Sequence, residues 1–347
     1  MKPVILGGHE RPIKDIIFNR EDDFLFVASV DRIVSLWSTE TNERIGTFKH
    51  DAAINCMKTT QDSKYLITGD SSGVIYIWEA YTGEILTKIE GDINSPIQSL
   101  DLGISNNQLS ITLGHRSTKN DVGKIVFINI DDAIKLSKNR EITLNKIPQK
   151  GFETYKEIKL SKSKLINCNK EIICAYDSGL VERRDIEGSI LKSAQIHSKQ
   201  IMDLSLSAYE ELALTSGKDG KSVLFDPETL QVLNEFKPEN PVRNINSGKI
   251  SPLFNPDLSE KNQLRHCIIG GGQESKDVTF TRSNEGGFEI LIYEMITGEE
   301  LGAIGGHFSP INVIAISNNG RVIVSGAEEG TVRKHVMEED YYALNQN

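Results

Sequence analysis

Apolar and polar positions alternate along this chain in short bursts, and the bursts repeat. "FLFVAS" (Phe24–Ser29) and "VIYIW" (Val74–Trp78) are rich in β-branched and aromatic residues, the composition of half-buried strands. The runs are about five or six residues long and are joined by tight turns, so the pattern predicts short strands. Two stretches share one register: "GGHERPIKDIIFNREDDFLFVASVDRIVSLW" (Gly7–Trp37) and "FKHDAAINCMKTTQDSKYLITGDSSGVIYIW" (Phe48–Trp78). Each passes from His through apolar alternation, a polar turn, a short apolar run and a small-residue/Asp turn to a closing Trp. His9 lies 41 residues before His50, and Trp37 lies 41 before Trp78.

Weaker copies follow. Ile196–Asp226 keeps the pattern with Phe225 in the Trp position, and Gly305–His335 keeps it with His335 there. Three degenerate copies lie near 92–130, 152–187 and 240–294, ending in "GKIVFINID", "GLVERRD" and "GGFEILIYE". The chain therefore reads as seven units starting near residues 7, 48, 92, 152, 196, 240 and 305, within one domain spanning 1–337. Four strands per unit fit this period.

Units of this length with a Gly-His start and a Trp end resemble WD-repeats, which implies an all-β, seven-bladed WD-repeat β-propeller. Departures are plain: there are two Trp in all, followed by Ser38 and Glu79 in place of Asp. The resemblance implies a hydrogen-bonded chain inside each blade, carried in the first unit by His9, Ser29, Asp31 and Trp37. The second unit has Ser72 where Asp31 aligns, so a weaker network is expected there. The fifth has His197, Ser216 and Asp219, but Phe225 lacks the indole donor. A Ser-His-Asp hydrolase is a poor alternative, because one active site does not need its triad once per unit and no GxSxG elbow is present. To avoid open sheet edges the ring must close. Pro3–Leu6 is expected to pair beside Gly330–Val336, leaving 338–347 as a tail outside the ring, either a frayed extension or a truncated helix.

Composition narrows the function classes. The formal charge of −10 disfavours nonspecific nucleic-acid binding, and direct sequence-specific contact with nucleic acid is not expected. No apolar run is long enough to cross a bilayer, and "MKPVILGGHE" is too short in its apolar part for a signal peptide, so a cytoplasmic protein is expected. Cys56, Cys168, Cys174 and Cys267 form no CxxC pair, so no metal site and no cofactor are expected. Lys135–Lys170 holds nine Lys and one Arg against three Glu, a local excess of seven positive charges. It reads either as a solvated outer edge that discourages strand pairing or as a patch for an acidic partner or RNA.

Gly270–Gly272 at first suggests a phosphate loop. Lys276 stands between Ser275 and Asp277, and no third glycine follows at the dinucleotide spacing, so neither phosphate motif fits. A strand end with close backbone approach is the remaining structural reading. "GGGQESKDVTFTRSNEGGFE", followed by "TGEELGAIGGHFSPINVIAIS", closely resembles the subunit i family of eukaryotic translation initiation factor 3. "GGHERPIKDI" resembles that family's opening. The segment between Ile250 and Cys267 is longer than the family usually has, and reads as a surface loop.

The resemblance implies a non-catalytic scaffold in the initiation complex on the small ribosomal subunit. It also implies that a C-terminal helical segment of the b subunit is held against blades five and six, and that subunit g is engaged. Asp226 and Gln273 are the candidate partner-binding residues, with Asp226 equally readable as a turn residue within its blade. Two other classes remain open. A WD-repeat adaptor for signalling or ubiquitin transfer has no reason to carry the Gly270–Glu289 signature. An enzyme on a propeller calls for clustered carboxylates or metal ligands around the central channel, and the sequence shows none.

Overall fold

The computed structural model describes residues 3–91, 95–103, 107–114, 122–155, 157–239, 244–254, 264–273 and 287–343. Its strands form seven antiparallel four-stranded sheets, one of which gains a fifth, parallel strand. In blade one the order from the axis outward is Ile13–Phe18, Phe24–Ser29, Ile33–Ser38 and Arg44–Lys49. The first strand of each blade touches the first strand of the next, all the way round to blade seven and back to blade one. The fold is a β-propeller with its innermost strands around a central channel.

Inner positions are aliphatic because they are covered on both sides. Ile13, Ile54, Ile97, Ile201 and Ile311 each start or sit near the start of an inner strand and are fully buried. Each such side chain contributes roughly 2 kcal/mol of burial. The core is accordingly a set of clusters between neighbouring blades: Leu6, Ile13, Val27 and Trp37 with Val313 and Val332 join blade seven to blade one.

Polar groups stitch the same seams. Asp15 Oδ2 in blade one accepts from the Met57 amide of blade two at 2.8 Å. Asp101 Oδ2 in blade three accepts from the Leu165 amide of blade four at 2.8 Å. Asp203 Oδ2 in blade five accepts from the Ser247 hydroxyl and the Gly248 amide of blade six. Ser247 Oγ in turn accepts from the Ile314 amide of blade seven.

Every inner strand carries one β-bulge near its start. The residues skipped in the register are Lys14, Asn55, Gln98 and Ser161 in blades one to four. Met202, Asn246 and Asn312 are skipped in blades five to seven. A bulge re-aims the side chain of its extra residue, so the same displacement occurs seven times round the axis.

The ring closes through Val4–Leu6, which pairs antiparallel with Val332–Val336, Leu6 opposite Val332. Asn318 of blade seven strengthens the joint by donating to Asp22 and to the Asn19 carbonyl of blade one. The C-terminal segment is more than a frayed end. Helix α2 (Glu339–Ala343) follows Met337, and Tyr341 is buried with its ring 5.1 Å from that of His266 in blade six. The tail is held because an aromatic side chain covers the apolar seam between blades six and seven.

Blade three departs most from the repeat. Between its third strand, Lys124–Asn129, and its outer strand, Gln149–Glu153, the chain forms helix α1 (Ile130–Leu136) and a short strand, Glu141–Thr143. Asn129 caps α1 by accepting from the Asp132 amide. Glu141–Thr143 pairs parallel with Ile85–Glu90 and covers the outer edge of blade two. The outer strand of blade three therefore crosses residue 152, and the inner strand of blade four starts only at Leu160.

Candidate partner-binding surface and the blade networks

The blade networks are built from residues that strand alternation places on one face. In blade one Trp37 Nε1–H donates to Ser35 Oγ at 2.7 Å, and Ser35 is 2.6 Å from His9 Nε2. His9 Nδ1–H donates to Asp31 Oδ2 at 2.7 Å. The partners fix this tautomer, since the carboxylate takes the Nδ1 proton. The hydroxyl in the chain is Ser35 and not Ser29. Ser29 instead accepts from the Asp31 amide and donates to the Arg11 carbonyl, closing the turn. Register explains the substitution: Ser35 lies directly opposite Val27, the second-strand position that carries the hydroxyl in other blades.

Those other blades are regular. Thr68 in blade two, Thr215 in blade five and Ser325 in blade seven each hydrogen-bond a histidine Nε2 eighteen residues earlier. Thr215 therefore does what the sequence suggested for Ser216, whose hydroxyl pairs with Ser222 instead. His197 reaches Asp219 at 2.8 Å, and Phe225 is fully buried beside them with no polar atom to offer. In blade seven His307 meets Glu329 at 3.0 Å.

Blade four replaces the whole device. Glu182 and Arg184 occupy the third-strand positions that Ser35 and Trp37 hold in blade one. Their ion pair, 2.7 Å, is buried, and the Tyr155 and Tyr176 hydroxyls also donate to the carboxylate. Both carboxylate oxygens accept hydrogen bonds, which makes a buried ion pair tolerable.

The central channel is where sequence reasoning missed a constellation. Asp15, Asp101 and Asp203 converge there with Lys58, Lys164 and Lys249, because blades one, three and five each contribute one carboxylate from an inner strand. Lys164 lies 2.9 Å and Lys58 3.6 Å from Asp101, and Lys249 lies 2.6 Å from Asp203. The Lys164 charge, with burial, holds Lys58 below the usual lysine range. Burial raises the Asp15 carboxyl, while burial is outweighed at Asp203 by Lys249 and Lys162, which hold it well below the usual carboxylate range. Each aspartate also accepts backbone N–H donors, so this is a stitched structural set. Among the described residues no group of three or more His, Cys, Asp or Glu is placed to hold a metal ion. The lysine-rich segment is thereby divided: Lys164 serves the channel, whereas Lys135, Lys138, Arg140, Lys146 and Lys150 stand exposed on the outer rim.

Gly270–Gly272 ends the second strand of blade six, His266–Gly272, whose residues are all buried. A Cβ on Gly271 would run into the Asn244 carbonyl, and Gly272 sits at φ +145° with the Phe288 ring 2.5 Å from where its Cβ would be. The triplet is glycine because backbones and rings pack against it. Gln273 follows it and is 8% exposed, so it is a buried residue rather than one displayed to a partner. The rest of the signature, 274–286, lies outside the described residues, as does 255–263 of the long segment before Cys267.

Asp226 lies half-exposed in the turn between Ser222–Phe225 and Val232–Phe236. Its Oδ1 accepts from the Glu228 and Thr229 amides, and burial opposing its charge is outweighed by these donors and by Arg183, which hold its carboxyl low. The outer strand that follows exposes Val232 and Leu233, 44% and 52%. Asn234 of this strand donates to the Met295 and Ile296 carbonyls of blade six, and Ile296 is 66% exposed. An apolar rim thus crosses from blade five to blade six, with a carboxylate in the turn leading to it.

A family model described as EIF3I matches residues 1–347. The chain is 32% identical over 349 residues to eukaryotic translation initiation factor 3 subunit I of Homo sapiens, covering 99% of this chain and 98% of that one. It is 31% identical over 352 residues to the same subunit of Xenopus tropicalis, with the same coverage. Among solved structures, the Cps50 (Swd1) β-propeller domain of Myceliophteria thermophila superposes with a TM-score of 0.74 at 14% identity, covering 97% of this chain and 100% of that one. That likeness concerns the fold alone. Among the described residues no helix is long and apolar enough to cross a membrane.

Proposed function

Because the chain belongs to the subunit i family of eukaryotic translation initiation factor 3, we propose that it is a non-catalytic scaffold of that complex, holding a C-terminal helical segment of subunit b across blades five and six. A translation-initiation role comes with the family; the helix, its blades and a further contact to subunit g are the proposal. The protein would act in the cytoplasm and meet the small ribosomal subunit through the complex. One observation carries the reading: Val232, Leu233 and Ile296 form an exposed aliphatic rim shared by the two blades. An amphipathic helix presents apolar side chains at i, i+3 and i+4, and a rim of this kind is the surface it needs. Asp226 adds a carboxylate for a basic residue of the helix. An exposed pair of that kind contributes ~0–1 kcal/mol.

The test is capture of the full chain by the C-terminal segment of subunit b. Leu233→Glu is expected to weaken capture at least tenfold with an unchanged melting profile. Asp226→Asn keeps an acceptor for the turn amides and is expected to cost up to about fivefold, in line with a partly exposed ion pair of ~1 kcal/mol. Undiminished capture by Leu233→Glu places the helix elsewhere. Buried Gln273 is expected to act, if substituted, on the stability of blade six rather than on capture.

A further inference from the structure

We propose that the channel mouth at the start of the inner strands is a binding site for a compact polyphosphate anion. All seven bulge residues line one cavity there, of about 280 Å³. Six of the seven are polar and none is acidic. Lys159, Lys162 and Gln200 complete the polar wall, so the cavity holds three ammonium groups, with Lys14, and five carboxamides. Among the described residues neither a carboxylate nor an aromatic ring lines it.

A bulge in each blade turns one side chain toward the axis, and donors from all round the ring meet in one place. The amides are held in position: Asn55 donates to the Ile97 carbonyl at 3.0 Å, and Asn246 to the Ile311 carbonyl at 2.9 Å. The carboxylates nearest the wall are engaged elsewhere. Asp15 accepts from the Ile16 and Met57 amides, Asp177 from the Lys159 amide, Asp203 from Lys249 and Ser247, and Glu328 from Asn312. Among the described residues none of Lys14, Lys159 and Lys162 has a carboxylate within ion-pair distance, 4.0 Å. Lys162 also acts electrostatically on Asp15 and Asp203, so Lys14 and Lys159 are the like charges at the opening that an anion from outside would balance.

The cavity's size selects a compact ligand, since ~300–1,000 Å³ is the usual range of small-molecule sites. Lysine ammonium groups suit phosphate as point charges. With no ring to stack on, a nucleobase adds nothing, so the phosphate chain itself is what the wall reads.

The experiment is calorimetric titration of the full chain with tripolyphosphate at low ionic strength. Saturable one-to-one binding that fades with added salt is expected. Lys14→Gln with Lys159→Gln, two exposed positions, is expected to weaken it at least tenfold while the melting profile is kept. Lys146→Gln with Lys150→Gln, on the outer rim, is expected to leave it unchanged. A nucleoside triphosphate is expected to bind within about threefold of tripolyphosphate. No saturable binding, or an equal loss in the rim variant, overturns the site. Tenfold tighter binding of the nucleotide, or of an oligoglutamate, overturns the assignment to a bare phosphate chain.

Discussion

Blades one and two share a Trp, a hydroxyl and a His in one hydrogen-bonded chain, yet the chain ends differently. In blade one the last proton goes to a carboxylate, His9 to Asp31 at 2.7 Å. In blade two Trp78 donates to Thr68 at 3.1 Å, Thr68 bonds His50 Nε2 at 2.7 Å, and His50 Nδ1 ends on the Phe48 carbonyl at 3.3 Å. The acid has not vanished from blade two; it has moved. Asp70 stands two residues before Ser72 and accepts from the Ser72 amide and hydroxyl and from the Val74 amide. It holds the turn but does not reach the histidine, and its Oδ2 is buried with no hydrogen-bond partner. The hydroxyl link and the acid are therefore separable parts: the first joins the strands in both blades, and the second reaches the histidine only in blade one.

The largest expected effect tests what the blades share. Thr68→Val keeps the volume but orphans His50 Nε2 and the Trp78 indole N–H together. Two buried groups at ~1–3 kcal/mol each give a loss of about 4 kcal/mol in the urea midpoint analysis. Ser35→Ala in blade one is expected to cost about as much by the same arithmetic. A loss below about 1 kcal/mol in either would mean that the indole and imidazole find other partners, and that the common chain does not organise the blade.

Acid tests blade two next. Burial pushes His50 down to about 4, the Phe48 carbonyl and Asp51 offsetting it only in part. An unfolded His titrates near 6.5, so below that pH the unfolded state takes up a proton that the folded blade refuses. The stability linked to His50 is fully present above about 6.5 and falls as the pH drops toward 4, reaching a loss of about 2.5 kcal/mol by pH 4.5. His335 is likewise pushed to about 4, by burial and then by His307 and Arg333, and contributes its own loss in the same window. His50→Gln is expected to be less stable at pH 7 but to lose about 2.5 kcal/mol less than wild type between pH 7 and 4.5. Parallel pH curves would remove His50 from the acid response.

Much of this architecture was readable from the sequence, and the parts that were not have physical reasons. The 41-residue register of His and Trp and the Pro3–Leu6 strand lead directly to a seven-bladed ring. Ser35 was hidden because a cross-strand pair can exchange roles: Val27 took the apolar half and the residue opposite took the hydroxyl. One sequence cue existed, since Thr68, Thr215 and Ser325 all stand eighteen residues after a histidine, where Val27 breaks the rule. The channel cluster was hidden for a different reason. Asp15, Asp101 and Asp203 are far apart in the chain, and only the circular arrangement brings them together. Gln273 is a candidate only through its place in the family signature, and the same close packing that demands the glycines before it leaves it buried.

The smallest effect is the sharpest comparison, because it converts one blade into the other. Asp70→Ser with Ser72→Asp gives blade two the turn of blade one, where Ser29 accepts from the Asp31 amide and Asp31 Oδ1 from the Ile33 amide. Each change alone should harm. Asp70→Ser takes away the acceptor of two turn amides, and Ser72→Asp sets a second carboxylate beside Asp70. Together they remove the unpartnered Asp70 oxygen and place a carboxylate twenty-two residues after His50, the spacing of His9 and Asp31. A net gain of about 1 kcal/mol at pH 7 is expected, together with strong non-additivity of the two singles. The proton titration of His50, followed by NMR, should rise from about 4 toward or above the unperturbed value, and the acid loss assigned to it should disappear. A double variant whose His50 still titrates near 4 would show that burial alone, and not the missing acid, separates the two blades.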